Sequence, residues 1–202
     1  MMIELSHMMY NKMPVYPGDP PFLMEIIKKH GKDGYLLNKF KGNMHAGTHL
    51  DAPYHFNPGG RKISDLKLSE LINTACIVDV KTKKIEPKHL KSVQDDKIII
   101  FRTGWSLKWK KEEYFSENPY ISQECADQLV EMEINGIGID SPSIDRKGNM
   151  ANHFKLLSHD TWIVENLKNL DQIYLDRFKI YIIPLLIETE ASPVRVFADI
   201  RS

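Results

Sequence analysis

The segment His45-Ala46-Gly47-Thr48-His49-Leu50-Asp51-Ala52-Pro53-Tyr54-His55-Phe56 restricts this chain more than any other part of it. It places three imidazoles and a carboxylate within eleven positions, all at odd numbers. Side chains at even spacing on an extended backbone point the same way, so His45, His49, Asp51 and His55 can converge on one point. A helix would keep His45 and His49 together but turn Asp51 away, and Gly47, Thr48 and Pro53 make a poor helix interior. Burying four such groups on one face is costly without a cation to pair them. Nitrogen and oxygen donors on an extended backbone therefore point to a transition-metal site.

The rest of the chain reads as one domain, 1–202, long enough to bury a core without disulfides. Lysine plus arginine and aspartate plus glutamate balance at 27 each, so no net field recruits nucleic acid or an anionic membrane. The basic run Lys81-Thr82-Lys83-Lys84 reads as a solvated turn. Cys76 and Cys125 lack motif spacing and read as reduced packing residues, with a disulfide left open. No apolar window reaches transmembrane length and the N-terminus has no secretory pattern, so the expected location is the cytoplasm.

β-rich runs fall at 23–27, 77–80, 98–101, 137–139, 162–164, 180–187 and 194–200. The cluster Glu188-Thr189-Glu190-Ala191-Ser192-Pro193 predicts a hairpin between the last two, with Pro184 forcing a bend or an edge. Helices are expected from Ser122 to Glu133, with Ser122 as N-cap, and over 63–71 with Ile63, Leu66 and Leu71 inward. Gly136-Ile137-Gly138 lacks the third glycine and the following helix of a dinucleotide loop, and reads as a close-packed strand. The mixture is α/β or α+β with a substantial sheet.

His45, His49 and Asp51 alone would give three ligands and an open position for water. Further candidates lie at His153, His159 and Glu165. The two histidines are indistinguishable by residue type, and Glu165 is equally consistent with an exposed strand terminator. Asp140, Ser141 and Ser143 border a site or form a strand-to-turn transition, and Trp105 walls a pocket or belongs to the core. His7, His30 and His89 have no partners at ligand spacing and read as surface residues.

The motif His45-x-Gly47-Thr48-His49-x-Asp51-x-Pro53-x-His55-Phe56 resembles the signature of the metal-dependent cyclase family, which includes kynurenine formamidase (arylformamidase) and isatin hydrolase. The resemblance continues through Pro14-Val15-Tyr16-Pro17-Gly18-Asp19, Arg102-Thr103-Gly104-Trp105, Gly136 to Ser143 and Ser192-Pro193-Val194-Arg195. It implies an α/β fold of the swivelling β/β/α kind, with a mixed sheet and short helices, assembled as a homodimer or homotetramer. It implies metal ligation by His45, His49, Asp51, His153 and Glu165, holding one or two Zn²⁺ (or Mn²⁺) ions, with Asp51 and Glu165 bridging where there are two. His153 fits the family's spacing of twelve positions to Glu165 and the following Leu156-Leu157, whereas His159 does not.

By the same resemblance His55 is an acid/base, and Tyr16 lines the substrate pocket where kynurenine formamidases carry Trp. The implied reaction is hydrolysis of a small-molecule amide by metal-activated water, most directly N-formylkynurenine to kynurenine and formate. Alternatives are another cyclic amide or ester such as isatin, a lyase or cyclisation on the same site, or a non-catalytic metal-binding protein. His55 as a further ligand is a separate alternative, disfavoured by Pro53, which redirects the chain just before it.

Overall fold

The computed structural model describes residues 1–201. Strand β1 (Met2–Glu4) precedes an excursion made of β2 (Leu23–Lys28), the single turn α1 (His30–Asp33) and β3 (Leu37–Lys41). The chain then runs through β4 (His49–Asp51), α2 (Leu68–Leu71), β5 (Ile72–Asp79), β6 (Lys84–Ile85), β7 (Ile98–Arg102), β8 (Tyr120–Ile121) and α3 (Gln123–Glu131). It finishes with β9 (Gly136–Ile139), α4 (Ala151–Ser158), β10 (Trp162–Glu165), β11 (Arg177–Pro184) and β12 (Ala191–Asp199).

The main sheet has the order β1-β12-β11-β5-β7-β9-β10-β4, and β4 returns to pair with the start of β12. Seven strands thus close on themselves, with β1 laid along β12. β5, β7, β9 and β10 are mutually parallel, while β4, β11 and β12 pair antiparallel with their neighbours. This mixed, partly barrel-like sheet with short helices is the α/β swivelling architecture that the motifs imply. Among the described residues no helix is long and apolar enough to cross a membrane.

Alternation along the strands divides the core into two layers. Leu50, Ile98, Ile100, Trp162, Val164, Ile180 and Val196 meet inside the closed sheet. Ile99, Phe101, Ile137, Ile139 and Ile163 face outward and are covered by Cys125, Ala126 and Leu129 of α3 and Leu156 and Leu157 of α4. His49 and Asp51 flank Leu50, so both present side chains to the outer face, where α4 packs. This parity places the site between sheet and helix.

The glycines of β9 allow the inner layer to close. A Cβ on Gly136 would lie 2.1 Å from the Trp162 ring, and one on Gly138 would lie 2.6 Å from Ile100 Cδ1. Gly136→Ala is expected to lower stability by about 3 kcal/mol, because a fully buried indole has no room to yield. A urea-denaturation midpoint equal to wild type would show that the layer has slack.

Most expected elements are present. Ser122 caps α3, its Oγ accepting from Cys125 N at 3.1 Å, and both cysteines are free and buried. The C-terminal hairpin forms as β11–β12. Pro184 ends β11, beyond the last pairing with β5 at Tyr181, so its missing N–H costs no ladder bond. Lys81 to Lys84 are exposed.

The helix expected over 63–71 is instead a 3₁₀ turn (Ile63–Asp65) and the one-turn α2, separated by Leu66 and Lys67 in extended conformation. Ile63, Leu66 and Leu71 are nevertheless buried, so the inward face was legible although its period was not helical. Neither α4 nor β3 is among the elements expected from the sequence.

β2 and β3 form a separate two-stranded arm. Its register pairs Met24 with Phe40 and Ile26 with Asn38 on one face, while Glu25 and Lys39 form an ion pair on the other. Ile26 and Phe40 are 58% and 69% exposed, leaving the apolar face of the arm uncovered within this chain.

Candidate metal centre

β4 is paired on both sides, with His49 opposite Glu165 of β10 and opposite Pro193 of β12. Cross-strand neighbours share a face, which sets His49 Nε2 3.6 Å from Glu165 Oε2. His45 arrives from the turn before β4, where Gly47 has φ +72°, a conformation that side chains rarely adopt. After β4, Pro53 opens a 3₁₀ turn (Pro53–His55) that brings His55 back beside His45, with ring centroids 4.5 Å apart. The odd-position argument therefore holds for His49 and Asp51 alone. Gly47 and Pro53 break the extended run, and turns deliver the outer two histidines. His153 comes from α4, packed over the same face.

These residues form two trios of donor atoms, His45/His49/Asp51 and Asp51/His153/Glu165. Asp51 Oδ1 lies 2.9 Å from His45 Nδ1 and 3.5 Å from His49 Nε2, and Oδ2 lies 3.8 Å from His153 Nε2. Glu165 Oε1 is 3.1 Å from His153 Nε2 and accepts from Ile144 N at 2.8 Å. His55 belongs to neither trio.

The donor set suits a divalent cation. His49 Nδ1 donates to Gly47 O at 3.0 Å and His153 Nδ1 to Asp145 Oδ2 at 2.8 Å, leaving both Nε2 atoms aimed at carboxylates. Asp51 Oδ1 is buried without a hydrogen-bond partner, although His45 Nδ1 is close. Lone pairs crowded together in this way are normal around a cation and costly otherwise.

The electrostatics agree. Burial works against charge on His45 and His153, but Asp51 and Glu165 outweigh it and raise them to about 9 and about 10. Burial also opposes ionisation of Asp51, but His49 and His45 overcome it and hold its carboxyl below the usual range. Protons or a divalent cation are the two ways to balance these buried carboxylates. His55 behaves differently, since burial, helped by His45 and His153, pushes it below its ordinary value despite Asp51.

The Cyclase family model matches residues 3–146. The chain belongs to the cyclase family. It is 32% identical to the kynurenine formamidases of Bacillus cereus (strain ATCC 14579) and Bacillus anthracis, over 96% of this chain and 94% of each relative. Its fold is also similar to "Potential Metal-Dependent Hydrolase With Cyclase Activity" (TM-score 0.83, 25% identity, covering 100% of this chain and 98% of that one). Isatin hydrolase A from Labrenzia aggregata superimposes with a TM-score of 0.88 at 22% identity, covering 98% of this chain and 93% of that one.

In this cyclase-family chain a cleft of about 170 Å³ reaches the trios. Tyr16 lines it, edge-on to Phe115 at 5.9 Å, and Trp109 and Met150 complete the apolar side. Burial, with Glu165 and Asp19 nearby, raises the Tyr16 phenol above its ordinary value and keeps it un-ionised.

Ser143 borders this cleft, whereas Asp140 accepts from Thr103 N and Gly104 N and ties two strand ends together. Trp105 is half-buried in a 3₁₀ turn, donates to Tyr114 O, and does not reach the cleft. His159 is exposed past α4. His30 is exposed, but His7 and His89 are partly buried, which corrects their expected surface placement. His7 stacks on Trp109 at 4.1 Å, and burial lowers it to about 4.

Two further carboxylates, not among the candidates marked by the sequence, contact the site histidines. Asp145 stands behind His153, and Glu190 Oε1 lies 3.7 Å from His45 Nε2. Glu190 meets His45 only through the tertiary fold, and Asp145 meets His153 across the irregular turn that leads into α4.

Proposed function

We propose that this chain is a metal-dependent amide hydrolase of the arylformamidase type, releasing formate and an arylamine from an N-aryl formamide such as N-formylkynurenine. The observation that carries the reading is the pair of trios sharing Asp51, with an uncommitted imidazole, His55, at their side. His45, His49 and Asp51 would hold one Zn²⁺ or Mn²⁺ ion, and Asp51, His153 and Glu165 a second. When bound, such an ion lowers the pKa of coordinated water towards neutrality and polarises a carbonyl oxygen. The curated relatives named kynurenine formamidase support the amide class.

The chain's own groups supply the rest. Tyr16, Phe115 and Trp109 offer apolar faces for a planar ring and exclude water around it. His55, held neutral, accepts the proton of the attacking water as the new C–O bond forms. It then passes that proton to the departing nitrogen as the C–N bond breaks. Tyr16 gives less ring area than Trp and a hydroxyl in place of an indole N–H.

Purified chain reconstituted with Zn²⁺ or Mn²⁺ is expected to hydrolyse N-formylkynurenine and simple aryl formamides faster than isatin, as read by formate release. Preference for isatin would move the assignment to cyclic amides. Metal uptake without turnover of any of them would make this a binding protein.

The small-molecule site is accompanied by a second surface. A two-stranded ribbon is at best marginally stable by itself, and the uncovered face of the arm adjoins an apolar groove lined by Met8, Ile183 and Leu185. The arm and groove of a second copy would meet those of the first about a two-fold axis. Light scattering should report a dimer, and the double substitution Ile26→Ser/Phe40→Ser should shift it towards monomer. A monomeric wild type would refute the assembly.

A further inference from the structure

Asp145 is 1% exposed and belongs to neither trio. Its Oδ2 accepts from His153 N at 3.0 Å and sits 2.8 Å from His153 Nδ1. Its Oδ1 accepts from Asn152 Nδ2 at 2.8 Å and from Asn152 N at 3.3 Å. One carboxylate therefore closes the start of α4, where Met150 provides no side-chain cap, and also fixes an imidazole carried on that helix. With Nδ1 engaged by Asp145 at 2.8 Å, Nε2 is the ring atom that faces Glu165 and Asp51 and the one left for a cation.

The corresponding support for His49 is of another kind, the neutral backbone carbonyl of Gly47. Behind His45 stands Glu190, but at 3.7 Å, beyond hydrogen-bond reach, so only His153 has a carboxylate outside the trios hydrogen-bonded to its far ring nitrogen. Helix capping needs an acceptor but not a full charge. A buried carboxylate behind a ligand imidazole raises its basicity and locks its orientation, and losing such a partner typically weakens metal affinity about 10–100-fold.

We infer that Asp145 is a positioning residue which, through His153, selectively sets the cation affinity of the Asp51/His153/Glu165 trio. The inference rests on the proposed metal-binding reading of these residues. Asp145 does not touch substrate or reacting atoms. It acts by holding His153 in one tautomer and one orientation.

Metal-free full-length chain is titrated with Zn²⁺ alone against a chromophoric chelator, for wild type, Asp145→Asn, His153→Ala and the double variant. Asp145→Asn is isosteric and keeps one amide oxygen for one of the two helix N–H groups, so α4 keeps part of its cap, and the unfolding midpoint of the metal-free variant reads what is lost. Wild type is expected to fill two positions. Asp145→Asn should weaken one of them about 10–100-fold while the other stays within about threefold. In the His153→Ala background the same substitution should add nothing further, because the effect passes through that ring.

Equal affinities for wild type and Asp145→Asn would overturn the inference and leave the metal reading standing. So would an additive loss in the double variant. Equal weakening of both positions, together with a lower unfolding midpoint of the metal-free variant, would assign Asp145 to helix capping and likewise overturn the inference. Failure of wild type to bind Zn²⁺ at all would remove the metal reading, and this inference with it.

Discussion

Asp51→Asn is expected to abolish metal binding at both trios and to reduce hydrolysis below about 0.1% of wild type. The carboxylate is the member the trios share, with Oδ1 facing His45 and His49 and Oδ2 facing His153. An asparagine retains one oxygen, and its NH₂ group is a donor that cannot coordinate a cation. Whichever trio meets the nitrogen loses a ligand and gains a repulsive dipole. The trio meeting the oxygen loses the negative charge that offsets the cation.

His45→Ala or His153→Ala should be milder, since each removes a ligand from one trio and leaves the other complete. The fold should tolerate Asp51→Asn, because the backbone of β4 is held by β10 and β12 independently of the Asp51 side chain. Elemental analysis of protein dialysed against Zn²⁺, with formate release measured in parallel, checks both halves. Full metal content in Asp51→Asn would refute a shared-carboxylate centre.

Much of this centre was legible because it is local. His49 and Asp51 lie on one short strand, and period-two alternation alone puts them on one face. The redirection before His55 follows from Pro53, as expected, whereas the turn at Gly47 that carries His45 breaks the extended run that the odd positions suggest. His153 is the instructive case. His153, Leu156 and Leu157 stand at i, i+3 and i+4, the spacing of a helix face, but the stretch is too short to set it apart from a loop, and α4 is seen only in the structure, where all three are buried.

Physics of the segment alone did not separate His153 from His159. The family spacing to Glu165 and, in the fold, the burial of one and exposure of the other do so. Glu190 could not be read locally, because its contact with His45 spans 145 positions and depends on the β12–β4 pairing that closes the sheet, whereas Asp145 meets His153 eight positions on through an irregular turn into α4 that has no periodicity to follow. Trp109 and Phe115 went unmarked for a similar reason. They reach the cleft from irregular 3₁₀ segments with no periodicity to follow.

His55→Ala should separate chemistry from metal binding. His55 lies outside both trios, so the variant is expected to keep its full metal content while kcat falls about 10²–10⁴-fold, the range for losing a general acid–base. The pH profile distinguishes this role from a packing one. Burial, with His45 and His153, depresses the imidazole below 6.5, so the neutral form is the working form at pH 7. Activity should hold as pH falls towards 6.5 and decline only as His55 is protonated at lower pH. A base that becomes protonated loses its function, so this limb must rise with pH, and it should vanish in the variant.

A ligand at position 55 would behave oppositely, with metal content and activity falling together and restored together by excess Zn²⁺. Packing loss alone would lower kcat without removing the acid limb. Wild-type kcat in a fully metallated His55→Ala protein would show that the proton moves by another route. The nearest alternative is Glu190, the carboxylate whose charge reaches both His45 and His55.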